Sequence, residues 1–401
     1  MTSLYNPTGL AKILERLVFS VALAFLGGTA CATTYQMPVN PGDTVVELFP
    51  NGNATTTIVQ DETLLDVALR YTLGQTEIIK LNPKVDRWLI KKGQVVRLPN
   101  RRILPDTPRS GVTLNISEFR MYYYPPGQRG EVMSFAHGIG RQDWKTPLGK
   151  TSVIRKVKDP AWHPPESIRR EHAAMGDPLP ATVPPGPHNP LGTRALYLNL
   201  PGEYRIHGTD VDKIYGIGMQ ITHGCVRMYP EDVETLYDVV PVGTAVHIVK
   251  QPIKVGWLDN TLYIEAHPDL EGEDMGRDQR YGLALRLIEK ATKESMAEVD
   301  QKALNQALTD LDGEPVAIYE RVDAYNPMAQ PSPMPFSPSP TSGSQSLPSP
   351  PPVKAVQPMA PLPPPVSAPA PAEETQLPSD SDIIPLPAPK GGSPGGYYHG
   401  T

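Results

Sequence analysis

The stretch that decides the fold of this chain is Thr222-His223-Gly224-Cys225-Val226-Arg227-Met228. Cys225 is one of two cysteines, and the other, Cys31, lies at the end of an apparent export signal. Because exported proteins meet an oxidising compartment, an unpaired thiol there is a candidate reactive group. His207 lies upstream in Arg205-Ile206-His207-Gly208-Thr209. This combination predicts a cysteine–histidine nucleophilic enzyme.

Residues 1–32 have the features of a secretory signal. Lys12 and Arg16 precede an apolar core, and Ala30-Cys31-Ala32 offers small residues for cleavage after Ala32. The core is too short for a comfortable bilayer span, so we expect no stable membrane span after cleavage. Two alternatives remain open, a retained anchor and lipidation of Cys31. Whether the signal is cleaved after Ala32 or Cys31 is lipidated, Cys225 has no disulfide partner within the chain.

Composition divides the rest of the chain. The net charge of −6 and the lack of a basic run argue against nucleic-acid binding. Residues 33–56 are predicted to be a linker. Residues 326–401 are rich in Pro, Ser, Ala and Gly, which cannot bury enough apolar surface to offset chain entropy. They are therefore predicted to be a disordered tail with polyproline character.

A small module is predicted over residues 57–100. Thr63 and Asp66 are spaced as a capping box, and apolar residues follow at helical intervals. Leu81-Asn82-Pro83 ends a second helix, and Lys92-Gly93-Gln94 turns into a strand. This strand-helix-helix-strand order resembles the LysM family, which implies binding to the glycan of peptidoglycan. The alternative is a structural mini-domain that only packs on its neighbour.

Residues 110–250 are rich in predicted strands, which favours a mainly β domain. Pro230 suits the first turn of a helix, and an apolar stripe continues to Val240 before Pro241 ends it. Residues 159–189 lack a clear period and are predicted to be a long functional loop or a solvated insertion. Residues 251–325 are predicted to be a C-terminal extension with a helical segment over 277–309.

The thiol of Cys225 needs a base or a nearby positive charge, because a free thiol is mostly protonated at neutral pH. His207 can serve as that base. Gly208 and Gly224 permit tight backbone geometry, and the N–H groups of Gly224 and Cys225 can form an oxyanion hole. A zinc site from His207, His223 and Cys225 is the alternative, although a fourth ligand is not evident.

The whole set of motifs is similar to the active-site signature of the L,D-transpeptidases, the YkuD-like family. The motifs are Ile206-His207-Gly208-Thr209, Gly216-Ile217-Gly218, the stretch 222–228, Thr146-Pro147-Leu148-Gly149 and the stretch 186–192. The likeness extends from Gly111 to Lys250. One departure is Thr222, where the family usually has serine. The resemblance implies a mixed β sandwich or barrel-like catalytic domain, joined here to a small α+β module.

The resemblance also implies a reaction and a location. Cys225 would attack a tetrapeptide stem of peptidoglycan in the periplasm, with His207 as base oriented by the carbonyl of Gly208. The acyl group would pass to diaminopimelate or to a lysine of an outer-membrane lipoprotein. His223, Arg227 and Thr222 would shape the pocket, and Trp162 would belong to a lid. No metal or organic cofactor is implied, and carbapenems are expected to acylate the thiol.

Two other functions remain open from the sequence alone. One is a hydrolase on the same fold, which uses water as acceptor and cleaves stems or lipoprotein–peptidoglycan links. The other is a non-catalytic wall-binding scaffold built on the module at 57–100 and the proline-rich tail. The products and the effect of Cys225→Ala distinguish these alternatives from the transpeptidase.

Overall fold

The computed structural model describes residues 32–50, 54–128, 130–211, 213–293 and 298–321. Cys31, nearly all of the predicted export signal and the predicted tail at 326–401 lie outside the described residues. Among the residues that are described, no helix combines the length and the apolar character needed to cross a membrane.

The N-terminal part contains five short strands and two helices. These are β1 (Thr33–Gln36), β2 (Val45–Glu47), β3 (Thr55–Thr57), α1 (Leu64–Arg70), α2 (Gln75–Leu81), β4 (Val95–Arg97) and β5 (Arg101–Ile103). β3 pairs antiparallel with β4 around the two helices, in the strand-helix-helix-strand order expected from the sequence. The predicted capping box is present, because Thr63 accepts from the N–H of Asp66 and the Asp66 side chain accepts from the N–H of Thr63.

The described residues of the central part form ten strands and two α-helices. These are β6 (Gly111–Asn115), β7 (Arg120–Tyr124), β8 (Glu131–Ala136), β9 (Ile139–Gly140), β10 (Gly149–Lys158), α3 (Glu166–Ala174), β11 (Arg194–Leu198), β12 (Arg205–His207), β13 (Gln220–Thr222), β14 (Val226–Arg227), α4 (Pro230–Val239) and β15 (Ala245–Val249). A nine-stranded sheet runs in the order β1-β8-β7-β6-β15-β10-β11-β12-β14. The prediction of a mainly β fold is confirmed.

Helix α4 covers one face of this sheet, as its sequence predicts. Val233 and Leu236 are buried in the same core cluster as Leu196 of β11, and Pro230 stands at the start of the helix. Residues 33–56 differ from the predicted linker. β1 is an edge strand of the large sheet, paired with β8, and β2 pairs with β5. These strands were missed because they are short and their partners lie far along the chain.

The C-terminal part has its own sheet and core. Its elements are β16 (Ile253–Leu258), β17 (Thr261–Ala266), α5 (Arg277–Thr292), α6 (Gln301–Asp310) and β18 (Val316–Glu320). The sequence predicted a helical segment over 277–309, and the described residues of that range form two helices, α5 and α6. α5 ends at Lys293, whose left-handed backbone (φ 52°) terminates it, and Asp300 caps α6 with its side chain.

The small N-terminal module is joined to the central sheet by specific contacts. The N–H of Gln75 donates to the carbonyl of Ile217 (2.8 Å), and Thr76 Oγ1 donates to the carbonyl of Gly218 (2.6 Å). The hydroxyl of Tyr229 donates to the carbonyl of Leu73 (2.8 Å). Helix α2 therefore stabilises the loop that leads into β13 and on to Cys225.

Candidate active site

The two strands that carry the predicted site lie side by side. β12 and β14 pair in parallel, with Ile206 opposite Val226 and His207 opposite Arg227. Successive residues of a strand point to opposite faces, and Ile206 and Val226 are buried in the main core. Arg205, His207 and Arg227 therefore project from the other face. Cys225, immediately before β14, falls on that same face, diagonal to His207.

His207 is buried and its orientation is fixed. Its Nδ1 lies 2.7 Å from the carbonyl oxygen of Gly208, the contact that the resemblance implies. Because a carbonyl only accepts, Nδ1 carries the proton and Nε2 keeps its lone pair. Burial, followed by the positive charges of Arg227 and Arg205, lowers the pKa of His207 to about 3. The imidazole is thus neutral at physiological pH.

Cys225 is partly buried among cationic groups. Burial raises the pKa of its thiol, whereas Arg205 and Arg227 act in the opposite direction. Arg205 is held in place by Glu203, whose carboxylate lies 3.0 Å away, and by the ring of Tyr197. The thiol is therefore neutral in the free protein. The guanidinium groups of Arg205 and Arg227 stabilise the thiolate once a base has removed the proton.

Hydrogen bonds from side chains to the backbone shape the turn that presents Cys225. Thr222 Oγ1 donates to the carbonyl of Cys225 (2.6 Å), and Thr146 Oγ1 donates to the carbonyl of Gly224 (2.9 Å). Gly224 has a φ of +98°, and a Cβ there would lie 2.8 Å from the ring of Tyr204. Glycine is therefore required at position 224 for both its backbone angle and its lack of a side chain.

His223 and Arg227 lie on either side of the nucleophile in sequence. His223 Nε2 lies 3.0 Å from a carboxylate oxygen of Glu171, and its ring packs edge-on against Trp144. Burial lowers the pKa of Arg227, while Asp210 raises it. The Nε of Arg227 has no hydrogen-bond partner among the described residues. Asp210 is the acidic group that acts on Arg227, and Glu203 pairs with Arg205, so both cations of the site have acidic neighbours.

The remaining sequence-predicted residues are placed as follows. Gly208 packs tightly, since a Cβ there would lie 3.1 Å from Val233 and 3.3 Å from Gly192. The backbone of Trp162 exchanges two hydrogen bonds with Val183, at 2.9 and 2.8 Å, which closes the loop that contains α3. The role of Trp162 as a lid residue stays a prediction.

The described residues contain one candidate group of metal ligands, and it differs from the zinc alternative considered for the sequence. Its ligand atoms, from Glu118, Glu265 and His267, lie within 4.8 Å of one another. The ammonium of Lys254 lies 2.8 Å from Glu118 and 2.7 Å from Glu265. This lysine already supplies the positive charge that a metal ion would bring, so we assign no metal to the cluster.

Three residues at the site were not predicted from the sequence. Arg205 could have been found, because alternation along β12 places it on the same face as His207. Arg141 and Glu171 form an ion pair with each other and come from separate loops. No spacing rule links them, so only the folded structure brings them to His223.

Comparison with protein families gives a match over this part of the chain. Residues 109–248 match the YkuD model, the L,D-transpeptidase catalytic domain. The chain is 36% identical over 310 residues to the probable L,D-transpeptidase YbiS of Escherichia coli K12, and covers 97% of it with 75% of its own length. It is 37% identical over 305 residues to the probable L,D-transpeptidase ErfK/SrfK of the same strain, and covers 95% of that protein with 75% of its own length.

Solved structures of the same class are also similar. The NMR structure of the catalytic domain from E. faecium L,D-transpeptidase is 18% identical and aligns over 36% of this chain and all of that one, with a TM-score of 0.28. L,D-transpeptidase 3 from Mycobacterium tuberculosis is 17% identical over 40% of this chain and 76% of that one, with a TM-score of 0.26.

The fold and the matches define an enzyme of the YkuD class. The near-complete coverage of relatives at 36–37% identity shows that this chain belongs to the L,D-transpeptidase family.

Proposed function

We propose that this protein is a cysteine-dependent L,D-transpeptidase that acts on tetrapeptide stems of peptidoglycan in the periplasm. The observation that carries the proposal is the parallel pairing of β12 and β14, which sets Cys225 and His207 on one face of the sheet. The family membership supports the substrate class, and the predicted export signal supports the compartment.

The first half-reaction forms a thioester. The Sγ of Cys225 attacks the carbonyl carbon at the L-centre of diaminopimelate, and its proton passes to Nε2 of His207. The bond to the terminal D-alanine then breaks, and His207 returns the proton to the leaving amine. The N–H groups of Gly224 and Cys225 stabilise the oxyanion of the tetrahedral intermediate.

The second half-reaction regenerates the thiol. An amine attacks the thioester carbonyl and gives a proton to His207, the C–S bond breaks, and the proton returns to sulfur. The acceptor is a second diaminopimelate, which gives a 3-3 cross-link, or a lysine of an outer-membrane lipoprotein. Arg205 and Arg227 lie where they offset the negative charge that develops on sulfur.

Other parts of the chain have proposed roles as well. The module at 57–100 binds glycan and brings the enzyme to the cell wall, in line with its LysM-like order of elements. Thr222 and His223 shape the pocket, and Trp162 belongs to a lid over the donor. The contacts of α2 with Ile217 and Gly218 support a rigid link between glycan binding and the loop before Cys225.

Product analysis tests the proposal. The chain from Thr33 onward is incubated with a disaccharide tetrapeptide, with and without a lipoprotein C-terminal peptide, and the products are separated and weighed by mass spectrometry. We expect released D-alanine together with 3-3 dimers or peptide adducts, and no products from Cys225→Ala. Free tripeptide alone would instead establish a hydrolase, and full activity of Cys225→Ala would eliminate the nucleophile.

A further inference from the structure

A carboxylate from the long loop reaches into the rim of the site. Glu171, on α3, places one oxygen against the guanidinium of Arg141 and the other 3.0 Å from Nε2 of His223. Arg141 first, and then His223, lower the pKa of this carboxyl, so that it is ionised. Both oxygens of Glu171 are therefore used to bind groups that belong to other segments.

Both partners of Glu171 are fixed to the turn that presents the nucleophile. The N–H of Arg141 donates to the carbonyl of Thr222 (2.9 Å). His223 is the second residue before Cys225, and its ring packs against Trp144 with centroids 5.4 Å apart. Arg141 and His223 thus form a preorganised pair at the mouth of the site, which we call the rim pair.

Glu171 is attached differently from the rim pair. It belongs to a nine-residue helix inside the loop 159–189, where Ile168 is the one residue of that helix that is fully buried. The side chains of Glu171, Arg141 and His223 are 28%, 33% and 23% exposed. Ion pairs with such access to water are weak and exchange readily with other ions.

The chemistry of the rim pair suits a substrate group. A guanidinium and an imidazole N–H bind a carboxylate through charge-assisted hydrogen bonds. The proposed donor stem carries several carboxylates, and deeper in the site Arg205 and Arg227 add positive charge. The rim pair lies next to the turn that carries Cys225, and Glu171 holds the place of an anion there.

We propose that Glu171 is a displaceable stand-in for a carboxylate of the donor stem, and that Arg141 and His223 are the residues that select for this carboxylate. This inference rests on the proposed function. Binding of the donor exchanges one carboxylate for another, so the rim pair stays paired while α3 is released. Glu171 thereby closes the free enzyme and yields specifically to anionic donors.

Steady-state kinetics with matched donors test the inference. The donors are the tetrapeptide stem and three derivatives, each amidated at one carboxylate. For the free donor, we expect Glu171→Gln to lower KM by roughly two- to fivefold with kcat retained, because competition is removed. Arg141→Gln should raise KM by about tenfold or more for the same donor. Glu166→Gln, an exposed change on the same helix, is the control and should leave KM unchanged.

The amidated donors identify the recognised carboxylate. One of them should bind wild type more weakly and lose its response to both Glu171→Gln and Arg141→Gln. In addition, binding of the free donor to Cys225→Ala should accelerate hydrogen exchange in residues 166–174. Equal changes in KM for all four donors, or no faster exchange in α3, would overturn the inference. Failure of wild type to process any donor would instead refute the proposed function.

Discussion

Two clusters of charge in this protein differ in how directly their charges are paired. In the first, which we call the junction cluster, Lys254 contacts Glu118 at 2.8 Å and Glu265 at 2.7 Å, and His267 lies 2.6 Å from Glu265. In the second, at the active site, Arg205 and Arg227 flank the thiol of Cys225. Here the Nε of Arg227 lacks a hydrogen-bond partner among the described residues.

The two clusters differ in role, because the junction cluster stabilises the fold and the active-site arginines act on the thiol of Cys225. In the junction cluster, Lys254 and His267 overcome the effect of burial and lower the pKa of Glu265 to about 2. The cluster joins the central sheet to the C-terminal sheet, and its Lys254–Glu pairs are shielded from water. At the active site, Arg205 pairs with the exposed carboxylate of Glu203, and Arg205 and Arg227 lie next to the sulfur that turns negative in the proposed reaction.

The largest expected effect follows from removing the base at the active site. His207→Ala should slow acylation of Cys225 by a carbapenem by about a hundredfold to ten-thousandfold, because the neutral thiol then lacks a proton acceptor. Stopped-flow fluorescence or timed intact-mass spectrometry measures this rate. His247→Ala, on β15, is the control and should react like wild type. An effect of less than tenfold in His207→Ala would contradict the assigned role.

The junction cluster should respond in stability rather than in chemistry. Lys254→Met leaves Glu118 and Glu265 buried without their cation, which should lower the free energy of unfolding by about 3–5 kcal/mol. Urea denaturation measures this change. Lys290→Met, which breaks an exposed pair with Asp106, should cost less than about 1 kcal/mol. A similar small loss for both variants would show that the junction cluster is not a structural device.

Asp232 is a third buried ionisable residue, and its contribution to stability should depend on pH. Asp232 on α4 is fully buried, and burial raises its pKa from 3.8 to about 8, although the backbone of Ala32 acts in the opposite direction. Between pH 4 and pH 8 the folded state keeps a proton on Asp232 that the unfolded state releases. The contribution of Asp232 to stability is therefore fully present below pH 4 and is lost as the pH rises towards 8.

Asp232→Asn should remove this loss. One pKa unit corresponds to about 1.4 kcal/mol, so the variant should gain a few kcal/mol over wild type between pH 4 and pH 8. Urea midpoints at several pH values report the difference, and Asp238→Asn, exposed on the same helix, is the control. A constant offset between variant and wild type at every pH would argue against a raised pKa.

The smallest expected effect concerns Arg227. Arg227→Met should slow acylation by about tenfold and further raise the pKa of the Cys225 thiol, since one stabilising charge is lost. Stability should fall less than in Lys254→Met, because Asp210, the acidic group that acts on Arg227, also lies 3.4 Å from Lys213. Rates of thiol alkylation across pH, with unfolding curves, measure both quantities. A loss of stability as large as that expected for Lys254→Met would erase the distinction between the two clusters.

The sequence predicted local features well because their determinants are local. The capping box at Thr63 and the helix that begins at Pro230 follow from spacing and cap chemistry, and both are present. β1 was assigned to a linker because its partner, β8, lies about a hundred residues away. The interruption between α5 and α6 was missed because apolar residues continue on both sides of it.

The candidate site shows the same limit. Cys225 and His207 could be identified because they stand in recognisable motifs. The contact of Glu171 with Arg141 and His223 joins three segments, and none of them carries a signal for the other two. Likewise, the position of Arg205 and Arg227 next to the thiol depends on strand pairing, which composition and spacing do not reveal.

The most direct test of the central claim is to locate the acyl group after reaction with the donor. The chain from Thr33 onward is mixed with tetrapeptide stem without an acceptor, quenched in acid and analysed by intact mass and peptide mapping. We expect a tripeptidyl adduct on Cys225 that hydroxylamine removes, and none in Cys225→Ala. Turnover of the stem by wild type with no adduct on Cys225, or with equal turnover by Cys225→Ala, would refute Cys225 as the nucleophile.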